Sequence, residues 1–553
     1  MKKHPRCSAV VNGFGYLAAL LLIFFAYSKM SAWWVDIGGL DTDPFDYQIF
    51  TLELPLLVII SSVFFCRRAK GVVFKFILPF FPLLSFYIFF DIFYSFLRRS
   101  PHPSDLYNIN TVMDFSPLAG YSVILFFIVL LPLTSFFLHA KIADEYSLKT
   151  FSFSVLKRIL ILVFIFSIFY FSPVRVFLVE KFNYIDWSQE RTIKSNGRVA
   201  SFIYYGLQEK KNRETLEEFS MKIESKSINI HNILYPDFLN VETYFLRNIH
   251  LVVLESFLDP RLLKNVKFNI SPLSPELKPF LLENEIFSLV KSPVYGGRTA
   301  QAEFELLTGI PALAKVDSVD FNVMMGNRAS SFVQRLKNLG YQAVATIASS
   351  SCYFNAKQAY RSIGFNDVTF LKEIDEFDSV KEYLPIFDGD VFAYNLKKVK
   401  KFKEEKKGML FNYVIGMYGH FPYETVREEH PDVVEVEHED ERVRKIANQF
   451  FYRTKALASY IRQLQEIDPD SIICIVSDHL PPILWDGTQY QLDQEMNIAI
   501  LINRKNSIDT GGREYYKLPW LIWDLIFERE HIVDIDHKMT ENIYYKFLSE
   551  SMF

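Results

Sequence analysis

The 553-residue chain is predicted to be an α-helical membrane bundle of about five helices followed by an α/β domain. Three features predict it. Long apolar stretches crowd the first 180 residues. Beyond residue 248, short continuous apolar runs alternate with amphipathic helical stretches. Acidic and histidine side chains stand directly after several of those runs.

Hydrophobic residues make up 50% of the chain, and many of its 54 Phe precede residue 180. The mean hydropathy of +0.10 is high for a soluble protein. A net charge of −4 gives no electrostatic reason for a nucleic-acid partner. The cysteines Cys7, Cys66, Cys352 and Cys474 lack metal-type spacing, and free thiols are expected over a Cys352–Cys474 bridge.

The apolar stretches run roughly 13–32, 49–66, 72–97, 118–139 and 156–178. A helix crosses a hydrocarbon core of about 30 Å with about 20 apolar residues. The first stretch is too long for a signal peptide, and Trp33 and Trp34 follow it where a cleavage site would need small residues. Lys2, Lys3 and Arg6 place the N-terminus inside, and the acidic loop with Asp36, Asp41, Asp43 and Asp46 falls outside. Arg67, Arg68, Lys70 and Lys75, then Lys141, Lys149, Lys157 and Arg158, mark inside loops, whereas Arg98 and Arg99 break the pattern. An odd number of crossings puts everything after about residue 180 outside. Glu53 and Asp91 are the clearest ionisable groups within the stretches, too few for a transporter. The expected organisation is a membrane anchor over 1–180, a linker over 181–245 and an extracytoplasmic domain over 246–553. Amphipathic segments fall at 198–208 and 214–225, and the face bearing Ala200, Phe202, Ile203 and Leu207 suits a membrane surface or an ordinary connecting helix equally.

In the second half, strands are expected at 250–254, 342–347, 410–416, 472–476 and 497–502, and helices at 329–339, 441–466 and 518–528. Continuous apolar strands separated by helices imply a sheet buried on both faces. Ligands collect beyond the carboxyl ends of such strands. Glu255 follows the run Leu251–Leu254, and Asp478-His479 follow Ile472–Val476. Carboxylate and imidazole together suit a divalent metal. The turn Gly296-Gly297-Arg298 leads into a helix that begins at Thr299 and carries Glu303. Thr299 reads plainly as an N-cap. The same place surrounds its hydroxyl with free amide donors suited to phosphate, and a metal or base would activate it. His420 follows the run 410–416. The acidic run Glu424–Glu441, with His430 and His438, reads as a solvated loop before a second metal site.

These segments together resemble the lipoteichoic acid synthase and phosphoglycerol transferase group of sulfatase-like membrane enzymes, in the alkaline phosphatase superfamily. The most specific pieces are Gly297–Phe304, Ser477–Pro482 and His420–Tyr423. The resemblance implies a sulfatase-like fold and one divalent ion (Mn, Mg or Zn) held by Glu255, Thr299, Asp478 and His479. Thr299 would be the nucleophile and would take the headgroup of a membrane phospholipid, phosphatidylglycerol first, with diacylglycerol leaving. A glycan or glycolipid hydroxyl would then accept it. His420 would contact the phosphate or pass protons, with Arg298, Asn355, Lys357 and Arg361 as substrate-binding candidates. The implied location is the bacterial cytoplasmic membrane, multi-pass, with a periplasmic or extracellular catalytic domain. Two positions depart from the family. Ala356 stands where an Arg usually follows the Asn, removing a guanidinium fork, and Ser477 replaces the usual Gly. A phosphoethanolamine transferase, a hydrolase and a non-catalytic binding module remain alternatives. A true sulfatase would need Cys or Ser where Thr299 stands.

Overall fold

The computed structural model describes residues 15–16, 18–27, 47–64, 80–106, 109, 112–113, 116–126, 156–157, 160–165, 167–168, 171–222, 246–377, 384–405, 408–423, 429–483, 488–528 and 537–552. The chain divides into two compact units, Met1–Glu218 and Phe219–Phe553. The boundary falls within one helix, inside the stretch expected to be a linker.

The N-terminal unit is helical. Its main described helices are α1 (Leu54–Phe64), α2 (Phe81–Leu97), α3 (Pro117–Ile124), α4 (Ser172–Lys181), α5 (Gln189–Asn196) and α6 (Arg198–Lys222), which runs across the boundary. Among the described residues no helix is long and apolar enough to cross a membrane. All five expected stretches lie partly outside the described residues, notably at 28–32, 65–79 and 127–139.

The two expected amphipathic segments are one continuous helix, α6. Ala200, Ile203 and Leu207 are buried in a cluster with Leu20, Leu52 and Leu57, and are therefore not offered to a membrane surface. Glu53 sits at the start of α6. Its carboxylate accepts the N–H groups of Arg198 (3.1 Å), Val199 (3.0 Å) and Ala200 (2.9 Å), and the Tyr87 hydroxyl. It satisfies donors that a helix start leaves open. Asp91 forms a fork with Arg198, at 2.6 and 2.9 Å, and accepts the Tyr27 hydroxyl at 2.6 Å. Arg99, which broke the charge pattern, is buried against Asp105. Its charge is matched within its own loop.

The C-terminal unit is built on a sheet. Its strands are β1 (Ile249–Leu254), β2 (Lys267–Phe268), β3 (Ser288–Lys291), β4 (Tyr341–Ile347), β5 (Asp367–Phe370), β6 (Met409–Gly416), β7 (Val436–Glu437), β8 (Ile472–Ser477), β9 (Met496–Asn503), β10 (Asn506–Ile508) and β11 (Arg513–Glu514). The nine-stranded sheet runs β11-β3-β9-β8-β1-β6-β4-β5, with β10 beside β9, and β2 pairs β7 separately. Strands β8, β1, β6, β4 and β5 are parallel, and β9 is antiparallel to its neighbours. The helices are α7 (Thr299–Thr308), α8 (Phe332–Asn338), α9 (Ala356–Ile363), α10 (Asp388–Glu405), α11 (Glu441–Ile467), α12 (Leu518–Phe527) and α13 (His537–Met552). All five expected strands are present with ends shifted by no more than one residue, and the three expected helices with ends shifted by up to three. Every residue of β1 and β8 is buried, so both faces are covered. One cluster under the sheet joins Val252, Val414, Ile475, Phe392 and Leu457 from β1, β6, β8, α10 and α11. Cys352 and Cys474 are free thiols.

Helix α13 is tied to α7 through Asp320, which is fully buried. Asp320 accepts the Tyr544 hydroxyl at 2.5 Å and the Gln301 amide at 3.1 Å, while its own N–H donates to Gln301 Oε1 at 2.7 Å. Tyr544→Phe leaves a buried acceptor short of one donor. It is expected to lower unfolding stability by about 1–3 kcal/mol, read as a reduced urea midpoint. An unchanged midpoint would show that Asp320 does not need this bond.

Candidate active site

The sheet order brings β8, β1 and β6 side by side, so their carboxyl ends open onto one place. The ladder continues past the strand ends. Glu255 N–H donates to Gly416 O at 2.9 Å, and Asp478 N–H to Leu254 O at 3.2 Å. Glu255 and Asp478 are thereby set on neighbouring tracks. His479 follows Asp478, and all three are buried.

The helix carrying Thr299 arrives over them. Gly296, Gly297 and Arg298 all have positive φ, at 70°, 149° and 62°. Glycine tolerates this at the first two, and Arg298 takes the left-handed region as the helix cap. Gly296 N–H donates to Leu480 O at 3.1 Å, stitching the turn to the loop after β8. Thr299 is therefore the first helical residue and does not act as the N-cap by its side chain. Its hydroxyl points to Asp478 Oδ2 at 2.7 Å and Glu255 Oε2 at 3.1 Å.

Imidazole and carboxylates are mutually oriented. His479 Nδ1–H donates to Leu480 O at 3.0 Å, which leaves Nε2 facing Asp478 Oδ2 at 3.2 Å and Glu255 Oε1 at 3.5 Å. Asp478 Oδ1 accepts the N–H groups of Ser256 and His479, both at 2.7 Å. Glu255 Oε1 accepts the Ser256 hydroxyl at 2.8 Å. Ser477 accepts Phe257 N–H at 2.9 Å and donates to His479 O at 2.8 Å, so the serine at this position fastens two loops together.

Two carboxyl groups this close and this buried cannot both stay ionised without a positive partner. Burial, then the charge of Glu255, pushes the Asp478 carboxyl well above the usual carboxylate range. Burial acts against Glu255 too, but His479 and then His420 outweigh it and hold Glu255 below the usual carboxylate range. Burial lowers His479, and the two carboxylates override it and raise it. Donor atoms of Glu255, Asp478 and His479 lie within 4.8 Å of one another. Their oxygen and nitrogen chemistry, with a spare Nε2 and the Thr299 hydroxyl alongside, fits a divalent cation. Among the described residues no second such group occurs; residues 424–428 of the acidic run lie outside them.

The other predicted residues are distributed around this set. His420 is exposed on the loop after β6, its Nδ1 donating to Phe421 O at 2.6 Å. Arg298 is exposed at the helix start, and Lys357 and Arg361 are half-buried on α9. Asn355 is buried, and its amide donates to Phe321 O at 3.0 Å and Met324 O at 2.8 Å. Sequence reading passed over Ser256, and it left Glu303 without partners. Glu303, one turn beyond Thr299, is buried and accepts the hydroxyls of Tyr413, at 2.7 Å, and Tyr360. An acid four residues after a helix-start threonine was a visible signal, but its tyrosine partners come from distant segments.

Two carboxylates and a histidine at the strand ends of a buried α/β sheet, with a hydroxyl from a helix start, thus form one candidate metal-holding group. Residues 247–508 match the sulfatase family model, and the C-terminal region carries a sulfatase-type domain. A protein of Rhizobium meliloti (strain 1021), provisionally named for cyclic β-1,2-glucan modification, is 27% identical over 278 residues, 49% of this chain and 40% of that protein. The chain thus spans well under two thirds of that relative. Among solved structures, the phosphoglycerol transferase GacH of Streptococcus pyogenes, in complex with sn-glycerol-1-phosphate, is 17% identical with a TM-score of 0.43, covering 62% of this chain and 91% of that one. The lipoteichoic acid synthase LtaP of Listeria monocytogenes is 17% identical with a TM-score of 0.41, covering 51% and 72%.

All ten residues of α7 are buried. Glu305 on this helix accepts the N–H groups of Ala312 at 2.9 Å and Tyr516 at 3.1 Å. Burial pushes its carboxyl up to about 8. The folded state therefore holds a proton that the unfolded chain releases above about pH 4.3. The stability this proton confers is complete below that pH and is lost as pH rises through about 8. Glu305→Gln is expected to flatten the decline of stability by up to about 1.4 kcal/mol per pH unit in that window. Urea midpoints across the window test this; parallel curves for the two proteins would contradict it.

Proposed function

We propose that the chain is a membrane-anchored, metal-dependent phosphotransferase that moves a phosphoglycerol-type headgroup from a membrane phospholipid to an extracytoplasmic glycan or glycolipid. The observation that carries the reading is the Thr299 hydroxyl, held at the start of a buried helix 2.7 Å from Asp478 and 3.1 Å from Glu255. The sulfatase match over 247–508 supports the reaction class. The sequence resemblance at Gly297–Phe304, Ser477–Pro482 and His420–Tyr423 supports the phosphoglycerol side. The apolar stretches before residue 180 support an anchor beside the lipid donor.

Glu255, Asp478, His479 and Thr299 would hold the divalent ion, which would act as a Lewis acid on the phosphoryl oxygens and lower the hydroxyl pKa. In the first step Thr299 Oγ1 bonds to phosphorus, its proton passes to Asp478 Oδ2, and the P–O bond to diacylglycerol breaks. His420 supplies the proton that the leaving diacylglycerol oxygen takes up. In the second step the acceptor hydroxyl attacks phosphorus, His420 takes its proton, and the Thr299 Oγ1–P bond breaks as Asp478 Oδ2 returns its proton to Thr299 Oγ1. The amides at the start of α7 offer hydrogen bonds to the phosphoryl oxygens. Ala356 leaves the headgroup without the family's guanidinium fork, so Arg298, Lys357 and Arg361 are the cations proposed to face it.

Intact-mass analysis after incubation with phosphatidylglycerol and Mn²⁺ tests this. A glycerol-phosphate adduct is expected on the native protein and not on Thr299→Ala. Thr299→Ala should also lose turnover by at least about a thousandfold with its melting temperature and most Mn²⁺ binding kept. An adduct formed only from phosphatidylethanolamine would reassign the donor. Equal headgroup release by both proteins would overturn the role of Thr299.

A further inference from the structure

Glu255 and His420 lie on different loops, after β1 and β6, and the chemistry proposed above needs them at a fixed separation. One ion pair touches both loops. Arg453 of α11 and Asp388, the first residue of α10, are each buried, with Nε and Oδ2 at 2.6 Å. Arg453 Nη2 donates to the backbone carbonyl of Glu255 at 2.9 Å, and its guanidinium carbon lies 4.9 Å from the Phe257 ring. Asp388 Oδ1 accepts Tyr418 N–H at 3.3 Å. One turn before Arg453, Gln449 donates to Tyr418 O at 3.0 Å. The loop leading to His420 is thus held at Tyr418 from both sides.

The backbone is cut to fit the pair. A Cβ at Gly416 would lie 2.4 Å from Asp388 Oδ1. A Cβ at Gly419 would lie 2.2 Å from Glu255 O and 2.3 Å from Arg453 Nη1. Glycine lets the backbone close onto the Asp388 carboxylate at 416 and onto the Arg453 guanidinium at 419. A buried charge pair is costly to desolvate, and a site that needs only packing is served as well by apolar side chains. A planar fork bonding one carboxylate and one carbonyl at once fixes geometry in a way a point charge cannot.

We propose that Arg453 and Asp388 are positioning residues. They set Glu255 against the His420 loop and so control both cation affinity and the chemical step. This rests on the functional reading above.

The test uses the full chain purified in detergent, with Mn²⁺ binding by calorimetry, melting of the metal-free protein, and kcat and KM for headgroup release from phosphatidylglycerol vesicles. Arg453→Lys keeps the charge and loses the fork. It is expected to weaken Mn²⁺ binding about 10- to 100-fold and to lower kcat with KM little changed, while the metal-free protein still melts cooperatively. Gln449→Met releases only the His420 side. It is expected to lower kcat and leave Mn²⁺ affinity unchanged, and it carries the test if Arg453→Lys does not fold. A folded Arg453→Lys with native affinity and kcat overturns the proposal, as does a folded Gln449→Met with native kcat. Native protein that binds no Mn²⁺ overturns the functional reading itself.

Discussion

Two carboxyl groups, Glu255 and Asp478, are buried together, and much of the C-terminal unit exists to make that arrangement tolerable. Water that would screen them is excluded, so their repulsion is paid down by other means: amide donors from Ser256 and His479, the Ser256 hydroxyl, the imidazole of His479 and the Thr299 hydroxyl. The two carboxylates and His479 meet because β8 and β1 are parallel neighbours in register, Leu254 opposite Ser477, and Thr299 joins them from the start of α7. A slip of one residue would turn one carboxylate to the other face of the sheet. The residual charge imbalance is what a divalent cation would relieve.

How much of this was legible in the sequence depended on whether the information was local. Strands β1, β4, β6, β8 and β9 were legible because strands covered on both faces read as unbroken apolar runs. The short strands β3 and β5 were not, since four residues carry too little pattern to stand out. The site residues Glu255, Thr299, Asp478 and His479 announced themselves as polar groups ending apolar runs or opening a helix. The duty of Thr299 was harder to read. Whether it caps the helix or begins it turns on the backbone angle of Arg298, which spacing does not encode. For Asn355 the resemblance implied substrate contact, and spacing gave no sign that its amide also donates to the carbonyls of Phe321 and Met324, more than thirty residues away.

The N-terminal unit shows the same limit from the other side. Acids inside apolar stretches attract attention as transport groups, and Glu53 and Asp91 were the natural examples. Each is fully engaged by its own unit. Glu53 caps the start of α6 and Asp91 holds the guanidinium of Arg198, the residue that opens the same helix. Adjacent groups at one helix start thus account for both acids. Gly197, with φ of 94° and no room for a Cβ beside the Glu53 carboxylate, completes the fit.

The total burial of α7 sets where variation is affordable. A helix whose ten side chains are all enclosed cannot be re-tailored without disturbing its neighbours, Thr299 included. The loops after β4 and β6 are different, for they hold Tyr353 and Phe421 open to solvent at 39% and 57%. On the proposed reading the nucleophile and cation ligands sit on a rigid floor, and the exposed loops that carry His420 form the rim around it. If the proposed transfer holds, a lineage built on this scaffold would change its acceptor by rewriting exposed loop residues such as Tyr353 and Phe421, with the buried helix left as it is.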